Sequence, residues 1–297
     1  MKKISSISVL LFTMFILISG SFGCAPQKEI NMPIVLLTDY GSEDYRISQL
    51  KGIIYSNNAE ARVIDASHSV PAFDIHTGAF VLDISAKEFP EKVVFIAIVA
   101  PYTQPVTKYL VLTTDKDQIF VLPDNGLLTY VAKDSEIKSV YEISNQTLFD
   151  KPINDLSAER IQGKIGSLIS SGYRSSDVGG PLTSFTTLDV QEPAISDRKL
   201  LGTVVYVDHF GNAVTNISAN TIAEFGVKPG DTVQLKTAEN TIPVKFGTIY
   251  SDVPQGEEII FVSNNLGMVQ LSINLGNFAS THGVKAGTKI EIDKTSE

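Results

Sequence analysis

Residues 34–52 read IVLLTDYGSEDYRISQLKG. Ile34 to Thr38 is an unbroken apolar run closed by Thr-Asp. A β-rich run without polar alternation predicts a strand buried on both faces. Asp39-Tyr40-Gly41-Ser42 breaks the run, and from Glu43 the spacing of Ile47, Leu50 and Ile54 is helical. Asp39 therefore falls at the carboxyl end of a buried strand, beside a glycine turn and ahead of a helix. In open α/β sheets that crevice is where ligands bind. A lone Asp-x-Gly is more often a turn former or cap, so the rest of the chain has to decide between the two.

Outward from this stretch, Ala61 to Ala66 reads as a second strand ending near Asp65, followed by the turn His68-Ser69-Val70-Pro71. Phe73 to Phe89 has helical spacing, and Val93 to Val99 is a third buried strand. Tyr109 to Thr113 and Gln118 to Leu122 flank Asp115-Lys116-Asp117, which signals a hairpin. Asn125-Gly126 opens a helix over Leu127 to Ala132, Val140 to Ile143 is a strand, and Arg160 to Ser170 is a helix ended by Gly172. Strands alternating with helices predict an α/β sandwich with a largely parallel sheet over residues 34–180. The periodicity then fails, and residues 181–199 read as a linker. From 200 to 293 the texture is short strands: Thr203–Val207, Val214–Ile217, Thr232–Lys236, Ile242–Phe246, Ile259–Val262, Val269–Ile273 and Lys289–Ile292. These predict a small antiparallel β-barrel.

The 297 residues suffice for two domains of ordinary size. A net charge of −9 argues against a nucleic-acid partner, which would require a basic face. Lys2 and Lys3 precede an apolar stretch from Ile7 to Ile18, small residues, and Cys24. This pattern predicts a signal peptide over 1–23 and a tether over 24–33, hence export to the cell envelope. Small residues ahead of a lone Cys resemble a bacterial lipobox, with Cys24 acylated and the membrane contacted only through that lipid. Ser21 departs from the Leu usual there, which leaves ordinary secretion and an uncleaved anchor open. A single cysteine excludes disulfides and cysteine metal clusters.

A second motif is Val207-Asp208-His209-Phe210-Gly211-Asn212, continuing into Thr215-Asn216-Ile217. With Thr38-Asp39-Tyr40-Gly41 and the helix end Gln49-Leu50-Lys51-Gly52, it resembles the S-adenosylmethionine hydroxide adenosyltransferases and their fluorinating and chlorinating relatives. The resemblance covers nearly the whole chain after residue 31. It implies that Asp39 holds the ribose hydroxyls, and that Asp208 and Asn212 contact the methionine end. Phe210 would pack on the adenine and Phe73 near the ribose or sulfonium. Asn274 and Leu275 would read the adenine edge through their backbone, and Asn265 would meet the methionine carboxylate. Pro101 and Thr103 match the halogenating branch. It further implies S-adenosylmethionine as substrate or ligand with no other cofactor. It also implies a homotrimer whose pocket lies between the α/β domain of one subunit and the barrel of the next.

The departures concern turnover. The hydroxide-transferring members carry an Asp, an Arg and a His that activate water, and the matching positions here are Ala100, Thr107 and Ser157. Lys108 lies next to the second. The halogenating members keep a Tyr and a Ser or Gly at the halide pocket, where this chain has Ala100 and Ala158. His68 and His209 fall in turns, and His76 and His282 read as exposed, so the histidines form no hydrolytic or metal set by spacing. Displacement at a carbon bearing a sulfonium needs no metal, because the leaving group departs neutral; positioning and desolvation of the nucleophile carry the catalysis. Three readings follow: an adenosyl-transferring enzyme, an exported nucleoside-binding module without turnover, and a structural envelope lipoprotein. The export signal favours the second. The joint presence of Asp39, Asp208, Phe210 and Asn212 speaks against the third.

Overall fold

The computed structural model describes residues 31–102, 108–237 and 240–294; Cys24, Thr103 and Thr107 lie outside them, as does the signal-peptide reading. The first sheet holds β1 (Ile34–Thr38), β2 (Val63–Ser67), β3 (Val94–Ile98), β4 (Tyr109–Thr114), β5 (Ile119–Pro123) and β6 (Ile137–Glu142) in the order β2-β1-β3-β5-β4-β6. The first four of that order run parallel, while β4 runs antiparallel to both neighbours. β1 is apolar from Ile34 to Leu37, and alternate residues feed two cores. Ile34 and Leu36 pack under α1 (Tyr45–Asn57) and α4 (Ala158–Ser170); Val35 and Leu37 pack under α2 (Ile75–Glu88) and α3 (Thr129–Asp134). α4 sits close on β3 because residue 166 is Gly: a Cβ there would lie 2.4 Å from Ile96 Cδ1.

The strand order positions the candidate site. From β1 the chain passes through α1 to β2 on one side, and α2 then carries it back across β1 to β3 on the other. The carboxyl ends of β1 and β3 are therefore the switch point of the sheet, where the two connections diverge and leave a crevice. Asp39 and Ala100 lie at those two ends.

Beyond a short strand β7 (Ala194–Ser196), β8 (Lys199–Val207), β9 (Ala213–Ser218), β10 (Thr232–Lys236), β11 (Thr241–Phe246), β12 (Glu258–Val262), β13 (Met268–Ile273) and β14 (Lys289–Lys294) form a barrel, closed by pairing of β14 with β8. The strands expected from the sequence are all present. One pair departs from the antiparallel expectation: β11 and β12 run parallel, Lys245 opposite Ile259 and Phe246 opposite Ile260. The connection between them is too long for a hairpin and returns the chain to the same end. Asp252 ties it back on itself, its Oδ2 accepting from Thr248 N–H at 2.6 Å and Ile249 N–H at 3.2 Å.

The two domains share a cluster in which Phe80 of α2 stacks on Tyr206 of β8 at 5.5 Å and meets Tyr130 edge-on at 6.1 Å, with Val205 and Val214 beside them. Truncating a buried aromatic to Ala costs about 3–5 kcal/mol. Phe80→Ala is therefore expected to uncouple the domains, so that urea unfolding followed by circular dichroism and tyrosine fluorescence resolves two transitions at lower midpoints. One transition at the wild-type midpoint would show that this cluster does not couple them.

Candidate functional site

Asp39 Oδ2 accepts two backbone hydrogen bonds, from Phe73 N–H at 2.9 Å and Ala100 N–H at 3.1 Å. The donors come from the loops after β2 and β3, one on each side of β1. Both donors have positive φ, 67° at Phe73 and 44° at Ala100, a region that side-chain-bearing residues rarely enter. Such a residue costs on the order of 1–3 kcal/mol, and a hydrogen bond to a charged group contributes about 1.5–3 kcal/mol. The carboxylate thus offsets the strain of the two loops that embrace it. Asn125, buried in the turn after β5, clamps the same loop from beneath: its Nδ2 donates to Val99 O at 2.9 Å and Ala100 O at 3.2 Å. Oδ1 of Asp39 accepts from no group among the described residues, and the ring of Phe73 is 76% exposed beside it. Among the described residues the arrangement leaves one acceptor oxygen beside one apolar face.

The neighbouring contacts had no sequence signature. Tyr40 Oη donates to Glu159 Oε1 at 2.6 Å across 119 residues of chain, and Glu159 is buried. Burial, reinforced by the Glu159 carboxylate, pushes the Tyr40 hydroxyl far above the ordinary tyrosine range. Arg46 lies over the Tyr40 ring at 4.6 Å and forks onto Asp44 at 2.9 and 2.8 Å. Those bonds, with the Arg46 N–H that Asp44 caps at the start of α1, hold the Asp44 carboxyl down at about 2. At the start of α4 the hydroxyl of Tyr102 accepts from Ala158 N–H at 3.0 Å, whereas Ser157, in the N-cap position, makes no capping bond. Tyr102, Ser157, Glu159 and Arg160 line a polar cleft of about 550 Å³ together with Tyr45 and Arg46.

On the barrel, Asp208 organises its own turn. Oδ1 accepts from the N–H groups of Phe210 and Asn212, each at 2.9 Å, and Oδ2 from Asn212 Nδ2 at 2.7 Å. Gly211 is required at the crest, with φ of 85° and no room for a Cβ, which would fall 2.1 Å from the Asn277 side chain. The turn throws Phe210 outward, 73% exposed. Asn265 lines an adjoining cleft of about 480 Å³ with Asp208, Phe210, Asn212 and Tyr250. Phe210, Asn212 and Tyr250 also line a second cleft of about 560 Å³ with Asn274 and Leu275. Leu275 stands 81% exposed there. Asn274 is tied into the chain by its backbone and its side chain. Its N–H donates to Glu257 O, its C=O accepts from Gly256 N–H, and its Nδ2 donates to Val253 O, so its backbone holds the 253–257 loop. Tyr250, whose Oη accepts from Gln270 Nε2 at 2.8 Å, is a lining residue that the sequence did not single out.

The candidate residues fall into two groups. Asp39, Phe73, Ala100 and Ser157 gather at the carboxyl edge of the first sheet. Asp208, Phe210, Asn212, Asn265, Asn274 and Leu275 line the barrel clefts, and none of the clefts described above contains residues of both groups. Lys108 pairs with Glu142 at 3.6 Å. His68 supports β1 through Nδ1, 2.9 Å from Thr38 Oγ1. His282 is not exposed as its sequence context suggested: it is 6% exposed, because the short helix Phe278–His282 turns its ring onto Phe278 at 4.5 Å. Among the described residues no group of three His, Cys, Asp or Glu side chains could hold a metal ion.

The Tyr40 contact fixes a sign for pH dependence. Unfolded tyrosine ionises near 10 and the folded Tyr40 well above it. A raised folded value contributes stability that is complete below about pH 10 and is lost as pH rises further. Between pH 9 and 11 the unfolding free energy of Tyr40→Phe should accordingly fall less steeply than that of the wild type, by up to about 1.4 kcal/mol per pH unit. Urea titrations across that range measure it, and equal slopes would show that the Tyr40 hydroxyl ionises alike in both states.

Comparison with known proteins bears on this geometry. Residues 34–179 match the SAM hydroxide adenosyltransferase N-terminal domain and residues 202–291 its C-terminal domain. An (R)-S-adenosyl-L-methionine hydrolase of Methanocaldococcus jannaschii is 29% identical over 270 residues, spanning 87% of this chain and 95% of that protein. A fluorinase of Actinoplanes sp. is 25% identical over 296 residues, spanning 89% and 98%. A crystal structure of a conserved protein from Thermotoga maritima superposes with a TM-score of 0.81 at 30% identity, covering 88% of this chain and 100% of that one. With both domains matched in order and the aspartate crevice at the sheet's switch point, the chain belongs to the SAM hydroxide adenosyltransferase family.

Proposed function

We propose that the protein binds S-adenosylmethionine or a related adenosyl compound, and that displacement at C5′ is slow or absent in it. The observation that carries this reading is the Asp39 cradle: one oxygen is held by two loops, and the other, with no donor among the described residues, would accept from a ribose diol. The adenine would lie on Phe210 against Tyr250 and Leu275, and the methionine end near Asp208, Asn212 and Asn265. Asp208 has both oxygens engaged in its turn, yet a carboxylate offers about four lone-pair sites, so an ammonium can still approach it. Because one chain separates the Asp39 group from the barrel group, we place the site between subunits of a homotrimer, with the exposed Phe73 and Phe210 covered from the two sides.

In the displacement itself a nucleophile's electron pair forms a bond to C5′, the C5′–S bond breaks, and sulfur leaves with its electrons as a neutral thioether. Water would also have to lose a proton. Ala100 presents a buried methyl where the water-activating acid would stand, and Ser157 a hydroxyl in place of an imidazole. A positioned acid–base group contributes about 10²–10⁴-fold, so its lack leaves binding without efficient turnover. The N-terminal export pattern and Cys24 favour this second use of the pocket, as a nucleoside-binding lipoprotein of the bacterial cell envelope.

Calorimetry of the mature protein with adenosylmethionine and adenosine tests the binding. Asp39→Ala is expected to weaken adenosine about tenfold or more through loss of a charge-assisted contact, and unchanged affinity would remove Asp39 from the site. In the same samples chromatography should find adenosine forming slowly or not at all; release at the rate of a triad-bearing relative would overturn the binding-module reading. Light scattering of the ligand-bound protein should give a trimer mass, and a ligand-bound monomer would refute the shared site.

A further inference from the structure

The loop that leaves β3 is pinned at three points. Ala100 N–H donates to Asp39, Asn125 holds the Val99 and Ala100 carbonyls, and two residues on, the hydroxyl of Tyr102 accepts from Ala158 N–H at 3.0 Å. The side chain of Tyr102 therefore reaches from the end of β3 to the first turn of α4. These are the two places, Ala100 and Ser157, where the water-activating acid and imidazole would face each other. Its ring is 64% exposed, so packing does not place it; the strained loop and the hydroxyl contact do. The side chains of Ala100 and Ala158 on either side are buried methyls, which offer a nucleophile nothing. Ser157 leaves its hydroxyl uncommitted to the helix, and Ala158 N–H is one of the amides at the start of α4 that lack an intrahelical acceptor. Among the described residues these two donors lie at the helix start itself, with Arg46 and Arg160 lining the same cleft, and the phenol already occupies one of the two.

We propose that Tyr102 is the specificity-determining residue of this site: it takes the nucleophile's place at α4, so that an adenosyl ligand is held without being attacked. The inference rests on the adenosyl reading above and goes beyond loss of the triad, since it names a group that actively excludes the nucleophile. Removing the phenol frees Ala158 N–H and opens the crevice, and an anion that needs no base then reacts where water does not. Azide is the suitable probe: its terminal nitrogen supplies the electron pair for the new N–C5′ bond, the C5′–S bond breaks, methionine leaves neutral, and no proton moves.

The experiment compares mature wild type, Tyr102→Phe and Tyr102→Gly, each incubated with adenosylmethionine and azide and each titrated with adenosine by calorimetry. The 5′-azido nucleoside is expected to form at least about tenfold faster in Tyr102→Gly than in the wild type, with Tyr102→Phe between them because it frees the amide but keeps the ring. Adenosine affinity should stay within about threefold in all three. Equal product rates with adenosine binding retained would overturn the role of Tyr102 while leaving the binding reading intact. A product rate that falls in both variants would also overturn it, by showing that the phenol assists attack. Failure of all three proteins to bind adenosine would overturn the adenosyl reading and this inference with it.

Discussion

One carboxylate oxygen ties together the ends of three parallel strands. Asp39 follows β1, and its Oδ2 takes the N–H groups of Phe73 after β2 and Ala100 after β3. Both donors are held at positive φ, so neither loop would keep its course without a strong acceptor between them. Everything at this edge of the sheet depends on that interaction: the exposed ring of Phe73, the direction in which Pro101 and Tyr102 leave β3, and the crevice itself. Asn125 completes the device from below by donating to the carbonyls of Val99 and Ala100. A switch point in a parallel sheet supplies a gap; this carboxylate gives the gap a fixed shape.

The barrel repeats the same physical idea with a different outcome. Asp208 also accepts two backbone N–H groups, but both come from its own turn, and its second oxygen takes the Asn212 amide. It stiffens a loop that presents Phe210, whereas Asp39 joins separate loops and has one oxygen without a donor among the described residues. The two domains therefore offer complementary surfaces, one with an open carboxylate beside an exposed aromatic, the other apolar with Phe210, Tyr250 and Leu275 around its clefts. Large exposed apolar side chains grouped in this way mark ligand or subunit contact, whereas Phe80 is buried at the domain junction.

At the crevice Ala100 presents a buried methyl and Ser157 a hydroxyl. Yet the first turn of α4 is densely contacted by two tyrosines, Tyr40 on Glu159 and Tyr102 on Ala158 N–H. Such contacts hold the start of the helix in place and leave its buried carboxylate paired.

Much of this was legible in the residues alone. The run Ile34–Thr38 specified a strand buried on both faces because its first four positions are apolar without alternation, and alternate positions do feed separate cores. The barrel strands were legible from β-rich runs punctuated by glycine turns, and Asp39 from its place between a strand and a helix. Tertiary structure alone decided the rest. The parallel pairing of β11 with β12 follows from how the 247–257 connection folds back, not from strand composition. His282 is buried because its ring finds Phe278 on a single helical turn, which no apolar pattern announces. Tyr40 and Glu159 are 119 residues apart, and Tyr102 and Ala158 are 56 apart. Periodicity reports which face of an element is apolar, but a polar partner across the sheet edge is chosen only when the strand order brings two loops together.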